Sequence, residues 1–426
     1  MPTNKASNSA QTVNSQTATE RTPLLVVLAL ALFLRLIVVW SVVANHPRGW
    51  LFGRGVEMGL LAKSLLAGLG LSSPFGVPTG PTAFIAPGYP ILVAGIFRVF
   101  GIDSQTSEAV LMLINVAANL ITIWLMMHLA RRLFNRTAAL LAGLFWAISP
   151  PLLWMPSIFW DTSICIALLL GLFTLALNCA DRPSRRLWIL IGAYSALTAL
   201  ITPALLLVIL AVLCWTAWMT WRTQRLSIAL ALLTLAIVYS PWPIRNARVF
   251  HAFIPLRTTV GFELWMGNRP GATGFLDETI FPMYNQQELA LYVQQGEVAY
   301  TQNKSDLAKQ YILANPGIFL RMTAKRFFRF WSGTGNSSSS VFYLLHALIT
   351  TLLGWLGLYF FFRDDRRRAI LFALPLLLFP FPYYITHAEF RYRLIIDPLL
   401  TILAAFALTT LFQRKPTSES SPIQPD

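Results

Sequence analysis

"PLLVVLALALFLRLIVVWSVV", residues 23–43, carries one charge, Arg35, in an otherwise apolar run. A bilayer's hydrocarbon core, ~30 Å thick, takes about 20 such residues as helix. The run is too long for a signal-peptide core, and no small-residue cleavage site follows it. It therefore reads as an uncleaved first span. The rest of the chain agrees: 56% of the 426 residues are hydrophobic and 12% are charged, about half the charged fraction of a soluble domain. The expected fold is an all-α polytopic membrane protein.

Working outward, further spans are expected at 108–130, 137–153, 158–178, 186–201, 204–221, 226–244, 340–362, 369–386 and 393–412, about ten in all. Thr202-Pro203 reads either as a tight turn or as a kink in a longer element. Residues 1–22, rich in Ser, Thr, Asn and Gln, and residues 413–426 read as loose cytoplasmic tails. Between the tails lie a core over 23–244 with a first outer loop at 44–107, a second outer region over 245–339, and C-terminal helices over 340–412. No internal repeat stands out.

The short connections set the orientation. "RRLFNR" (131–136), "DRPSRR" (181–186), "WRTQR" (221–225), "RDDRRR" (363–368) and "QRK" (413–415) are basic, while the alternate connections "PPLLWMPS" and "ITP" hold no Lys or Arg. With both termini in the cytoplasm every basic loop falls inside. This pattern accounts for much of the net charge of +15, so nucleic acid is not expected as a partner. Cys165, Cys179 and Cys214 sit in or beside apolar runs, which argues against a disulfide framework. The five histidines form no zinc motif. No cofactor is called for; a Mg²⁺ or Mn²⁺ requirement has no support in the sequence.

Charges near hydrocarbon are costly unless paired or hydrated. Asp181, Asp364 and Asp365 have neighbouring arginines. Glu57, Asp161, Glu263, Glu389 and Asp397 lack that explanation, and all five map to the outer half. Glu57 opens "EMGLLAKSLLAG", a partly helical apolar spacing stopped by Gly68 and Gly70. It reads as a functional carboxylate, as a first-turn helix acid, or as a partner of Arg54. Asp161 reads as a functional acid or as an N-cap beside Thr162 and Ser163. "THAEFRYRLIIDP" (386–398) brings His387, Glu389, Arg391 and Arg393 to an outer turn. Arginine forks suit phosphate, although Arg393 and Asp397 also sit at i, i+4. Arg245, Arg248 and Arg257 leave the 226–244 span as either an anion site or a membrane anchor. Glu263, with Trp265 and Asn268 after it, suits sugar hydroxyls or an ordinary loop. Arg35 is expected to pair with an acid or to snorkel.

Six stretches in order, "EMGLLAKSLLAGLGLSSPF", "GPTAFIAPGYPILVAGIFRVFG", "FWDTS", "PWPIRNARVF", "GFELWMGN" and "HAEFRYRLIIDP", resemble the bacterial branch of the protein O-mannosyltransferase and aminoarabinose transferase superfamily. The resemblance runs from about residue 23 to 412. It implies a membrane glycosyltransferase of the GT-C fold, with juxtamembrane helices outside the cytoplasm. It also implies a polyprenyl-phosphate-linked sugar as donor, hexose or pentose, and a lipid, glycan or protein acceptor. The site would face outward from a bacterial inner membrane. Glu57 matches the first-loop base and Asp161 a second acid at the mouth of a span. Where many members carry an aspartate or adjacent acids, this chain has Val56-Glu57, so the base is Glu57 or Asp161. His387, Arg391 and Arg393, with Arg245, are then expected at the donor phosphate, and Tyr89, Glu263 and Asn268 at the sugar or acceptor. "PTAFIAPGYP" should end in a juxtamembrane helix rather than a span. Two other functions share this topology: a flippase of lipid-linked sugars, and a ligase using lipid-pyrophosphate glycans. Against the first, the unexplained charges lie at the outer rim rather than mid-membrane.

Overall fold

The computed structural model describes residues 5–54, 56–334 and 340–413, and for 5–21, Arg54 and Ser340 the backbone alone. Among these residues every regular element is helical apart from an isolated bridge between Ser72 and Pro81. Six helices are long and apolar enough to cross a bilayer: Thr22–Asn45, Gln105–Leu133, Thr162–Asp181, Pro203–Tyr239, Val341–Asp364 and Arg366–Ile385. Gly88–Phe100, Arg136–Ile148 and Asp397–Gln413 are apolar but shorter. The chain is thus an integral membrane protein.

The expected spans find helices, with differences that have causes. Pro203–Tyr239 holds two of them, divided at Gln224, whose φ of −125° and ψ of 23° leave the helical region. The 13 residues of Arg136–Ile148 and the 17 each of Arg185–Ile201 and Asp397–Gln413 fall short of the ~20 that cross a bilayer unaided. Thr202-Pro203 is a turn: one helix ends at Ile201, and a 3-10 turn at Pro203–Leu205 opens the next. The first helix begins at Lys5, not 23; once a span has nucleated a helix, extending it through polar residues costs little. The outermost tails, 1–4 and 414–426, lie outside the described residues.

The basic loops 131–136, 181–186 and 363–368 meet at one end of the bundle. Arg132 and Arg368 both bind Asp181, at 2.7 and 2.9 Å, and the Trp215 indole donates to Arg367 O at 2.8 Å. Polar caps close the helices there: Asn135 accepts from Ala138 N and Asp365 from Arg368 N. Arg35 neither pairs with an acid nor snorkels. It is fully buried and donates to Trp146 O and Ala147 O, carbonyls that the end of Arg136–Ile148 leaves without helical partners.

Two apolar cores result. One fills the bundle of spans. The other joins the first outer loop (Leu51 to Phe97) to the second outer region (Trp242 to Tyr300) at the opposite end from the basic loops. Close helix packing uses missing side chains: Gly357 lies against the backbone of Leu403, where a Cβ would collide. Segments from both outer regions and from the late turn meet where the two cores adjoin.

Candidate functional site

Four segments, each about a hundred residues or more from the next, build one cluster there. Glu57 stands in the first turn of Val56–Leu66, whose Met58, Leu61 and Ala62 are buried in the outer core. Gly59 of that helix lies against Phe159, which sets it beside Trp160 and Asp161. Asp161 precedes the span Thr162–Asp181 in the N-cap position but makes no side-chain cap bond; its carboxylate is turned to the Cys165 thiol. Glu263 is in the first turn of Val260–Asn268. That helix closes onto the 386–389 turn because Gly267 sits against Thr386 O, a contact with no room for a Cβ. Arg391 comes from the short helix Phe390–Arg393.

Arg391 is the electrostatic centre. Its guanidinium lies 4.3 Å from the Trp160 ring centroid and 5.3 Å from that of Tyr392, a stacked setting that suits a planar cation. Tyr392 in turn stacks on Tyr383 at 4.5 Å. The charge of Arg391 reaches both Glu57 and Asp161, yet no carboxylate among the described residues comes within ion-pair distance of it. Burial pushes the Glu57 carboxyl above its ordinary range, and Glu263 and Glu278 push it the same way against the pull of Arg391. Burial also raises Asp161, opposed by the Cys165 contact, Arg391 and Arg257. Both acids keep part of their surface open to solvent. No group of three or more His, Cys, Asp or Glu among the described residues could hold a metal ion.

Several expected site residues are otherwise employed. Arg393, expected at the donor phosphate, is fully buried. It binds Asp397 at 2.9 Å and donates to Ala347 O, Thr350 and Thr351. Asp397 also meets His346 Nε2 at 2.9 Å, and His346 Nδ1 lies 2.7 Å from Ser149 Oγ. Arg393 is thus the end of a buried chain joining helices, with no open face for phosphate. Arg245 donates to Leu71 O and Thr82 O at 2.8 and 2.7 Å, which pins the first outer loop. Asn268 donates to Leu264 O and Ile385 O and accepts from Arg326, leaving little for a sugar. His387 Nε2 lies 2.7 Å from the Tyr392 hydroxyl, while Nδ1 lies 3.2 Å from Glu263 Oε2 with no hydrogen bond formed between them. Burial lowers its pKa, so it orients neighbours as a neutral ring. Tyr89 is buried against Phe159, and its hydroxyl has no hydrogen-bond partner among the described residues, with the Asp161 charge in range. The Arg54 side chain, the alternative partner for Glu57, lies outside the described residues.

Two residues gain importance. Of the three arginines at 245–257, it is Arg257 whose charge acts on Asp161. Behind it stands Glu297, buried, which accepts from Ala83 N at 2.7 Å, Thr258 Oγ1 at 2.8 Å, Tyr292 OH at 2.6 Å and the Thr82 hydroxyl. Glu297 therefore ties Thr258, beside Arg257, to the first outer loop. In the sequence it is an ordinary glutamate in a polar stretch; an acid next to Gly296 at a helix start was the available signal.

Residues 85–244 match the family model described as dolichyl-phosphate-mannose-protein mannosyltransferase. The matched stretch includes Tyr89 and Asp161 but not Glu57 or the late turn. No curated protein matches the sequence. Among solved structures, the Archaeoglobus fulgidus oligosaccharyltransferase in the apo form superposes with a TM-score of 0.54 at 14% identity, over 93% of this chain and 51% of that one. Its complex with Zn and sulfate gives 0.53 at 14% identity, over 92% and 49%. ArnT from Cupriavidus metallidurans bound to undecaprenyl phosphate aligns over 90% of this chain and 78% of that one at 15% identity, with a TM-score of 0.38. The chain spans about half the length of the archaeal enzyme. It is an integral membrane protein that shares the fold of the archaeal enzyme, and its residues 85–244 match the mannosyltransferase family model.

Proposed function

We propose that this protein is a glycosyltransferase that moves one sugar from a polyprenyl-phosphate carrier to an acceptor hydroxyl. The site faces outward from a bacterial inner membrane, with the basic loops in the cytoplasm. The observation that carries the reading is that separate segments bring Glu57, Asp161 and Arg391 together: Gly59 of the Glu57 helix lies against Phe159, and the Arg391 guanidinium lies 4.3 Å from the ring of Trp160, next to Asp161. The family match over 85–244 supports the donor class.

The acceptor hydroxyl gives its proton to the Glu57 carboxylate as its oxygen attacks the anomeric carbon. The bond from that carbon to the phosphate oxygen breaks on the opposite face, and the phosphate leaves with the electron pair, which inverts the centre. A raised Glu57 pKa makes the carboxylate a better proton acceptor near neutral pH; base assistance of this kind is worth about 10²–10⁴ in rate. Arg391, with Arg257, meets the charge that gathers on the departing phosphate. The rings of Trp160 and Tyr392, the latter backed by Tyr383, hold the guanidinium in place. Tyr89 offers its free hydroxyl to the substrate beside Asp161, and Glu263, oriented by His387, is a sugar contact.

Membranes carrying Glu57→Gln or Asp161→Asn, supplied with labelled polyprenyl-phosphate sugar, test the assignment. Glu57→Gln should lose transfer while still retaining donor; transfer at the parent rate would remove Glu57 as base, and the same comparison for Asp161→Asn would then decide for Asp161. The fold likeness to an oligosaccharyltransferase favours a second reading, in which the group moved is an oligosaccharide. Transfer from a lipid-pyrophosphate glycan but not from a monophosphate donor would select it.

A further inference from the structure

At the far end of the bundle from the candidate site, a cavity of about 380 Å³ is lined by Trp218, Met219, Thr220, Trp221, Arg222, Thr223 and Arg367. Eighteen residues separate Thr202, whose hydroxyl reaches Cys165 near Asp161, from Thr220. At 1.5 Å per residue that is about 27 Å, the depth of a bilayer core. The cavity opens where Gln224 breaks the Pro203–Tyr239 helix, and Trp215 fixes its other wall by holding Arg367 O.

Its two arginines differ from their neighbours. Arg132 and Arg368 are spent on Asp181, Arg225 lies over Trp221, and Arg363 over Tyr359. Arg222 and Arg367 are exposed, come from separate segments, and have no carboxylate within ion-pair distance among the described residues. The hydroxyls of Thr220 and Thr223 donate to backbone carbonyls, so the open donors are the guanidinium forks, which fit phosphate oxygens. Leading to the cavity, Leu207, Leu210, Cys214, Trp218 and Trp221 are exposed at helical spacing. The stripe is apolar, ends in two tryptophans, and is capped by two free cations.

We propose that this cavity binds the phosphate of an anionic bilayer phospholipid, with an acyl chain lying along the Leu207–Trp221 stripe. The two arginines from different segments grip one headgroup, and the tryptophan rings sit at the boundary between tail and head. The site is separate from the transfer chemistry and stands whether or not that reading holds.

Native mass spectrometry of the full chain in detergent, titrated with phosphatidylglycerol, tests it. Arg222→Ala with Arg367→Ala should reduce retained lipid about tenfold, while Arg185→Ala with Arg186→Ala, which removes two basic residues from the same end, should not. Phosphatidylcholine should be retained more weakly by the parent than phosphatidylglycerol, and inorganic phosphate should fail to displace the latter. Equal retention by parent and pocket variant overturns the proposal, as does an equal loss in the control. Displacement by inorganic phosphate overturns it in favour of a free-anion site. Should the alanine pair not fold, Arg222→Gln with Arg367→Gln replaces it, with the same loss expected.

Discussion

Glu297 and Glu57 each stand in the first turn of a helix at the end of the molecule away from the basic loops, and their surroundings are opposite. Four donors close on the Glu297 carboxylate from three segments. Glu57 receives the field of Arg391 but no side chain bonds it among the described residues, and two further acids push against its charge. Asp397 and Asp161 repeat the contrast. Asp397 is filled by Arg393, His346 and Thr350; Asp161 omits even the capping bond its position offers. Buried polar groups are satisfied as a rule, and on the proposed function the two half-open acids are the ones whose remaining contacts a substrate would supply.

The contrast breaks most visibly in activity. Glu57→Gln should lower transfer by about 10²–10⁴ with thermal stability unchanged or slightly raised, because the amide sheds a charge that burial disfavours. If Glu57→Gln unfolds the protein as readily as a change at Asp397, the two classes of acid are one.

Stability gives the converse. Asp397→Ala leaves Arg393 buried and unpaired, a change that costs about 3–5 kcal/mol. Unfolding in detergent should show the loss at any substrate concentration. Glu297→Gln should act similarly but less, since the amide nitrogen meets groups that are themselves donors; its residual activity should show a raised KM more than a lowered kcat, because Arg257 is displaced rather than removed.

Arg391→Lys sharpens the comparison between neighbours in one turn. The charge remains, but the planar stack over Trp160 and Tyr392 is lost. Cation–π contacts of this kind are worth about 0.5–2 kcal/mol, so donor binding should weaken by roughly 2- to 30-fold, with stability little changed. The matching Arg393→Lys change should register in stability first.

These pairs also show what the sequence revealed. Spans were legible because burial in lipid demands unbroken apolar runs, and the basic loops because charge avoids crossing. Glu57, Asp161, Glu263 and Arg391 were legible as polar residues with no local reason. The division of labour between Arg391 and Arg393 was not, although Asp397 at i, i+4 hinted at it: two residues along a helical turn point in different directions, and what each meets depends on helices far away in sequence. Arg245 and Arg257 were indistinguishable for the same reason, since the loop carbonyls that claim Arg245 come from Leu71 and Thr82. Glu297 left only the weak signal of an acid at a helix start, because its partners at 82 and 83 lie more than 200 residues away.

The smallest expected effect is in pH dependence, and its sign separates the two kinds of acid. Glu57 has a folded pKa above its unfolded value. Between those values the folded chain holds a proton that the unfolded chain releases, so stability falls as pH rises through the window. Below the unfolded pKa the contribution is fully present; above the folded pKa it is gone. Activity runs the other way, because the base must be ionised, so the acid limb of the rate profile should sit above the ordinary carboxylate range. In Glu57→Gln the stability slope over that window should flatten, and the residual activity should lose its acid limb. A slope that survives the substitution would assign the titration to Asp161, which burial raises in the same direction, and the base with it.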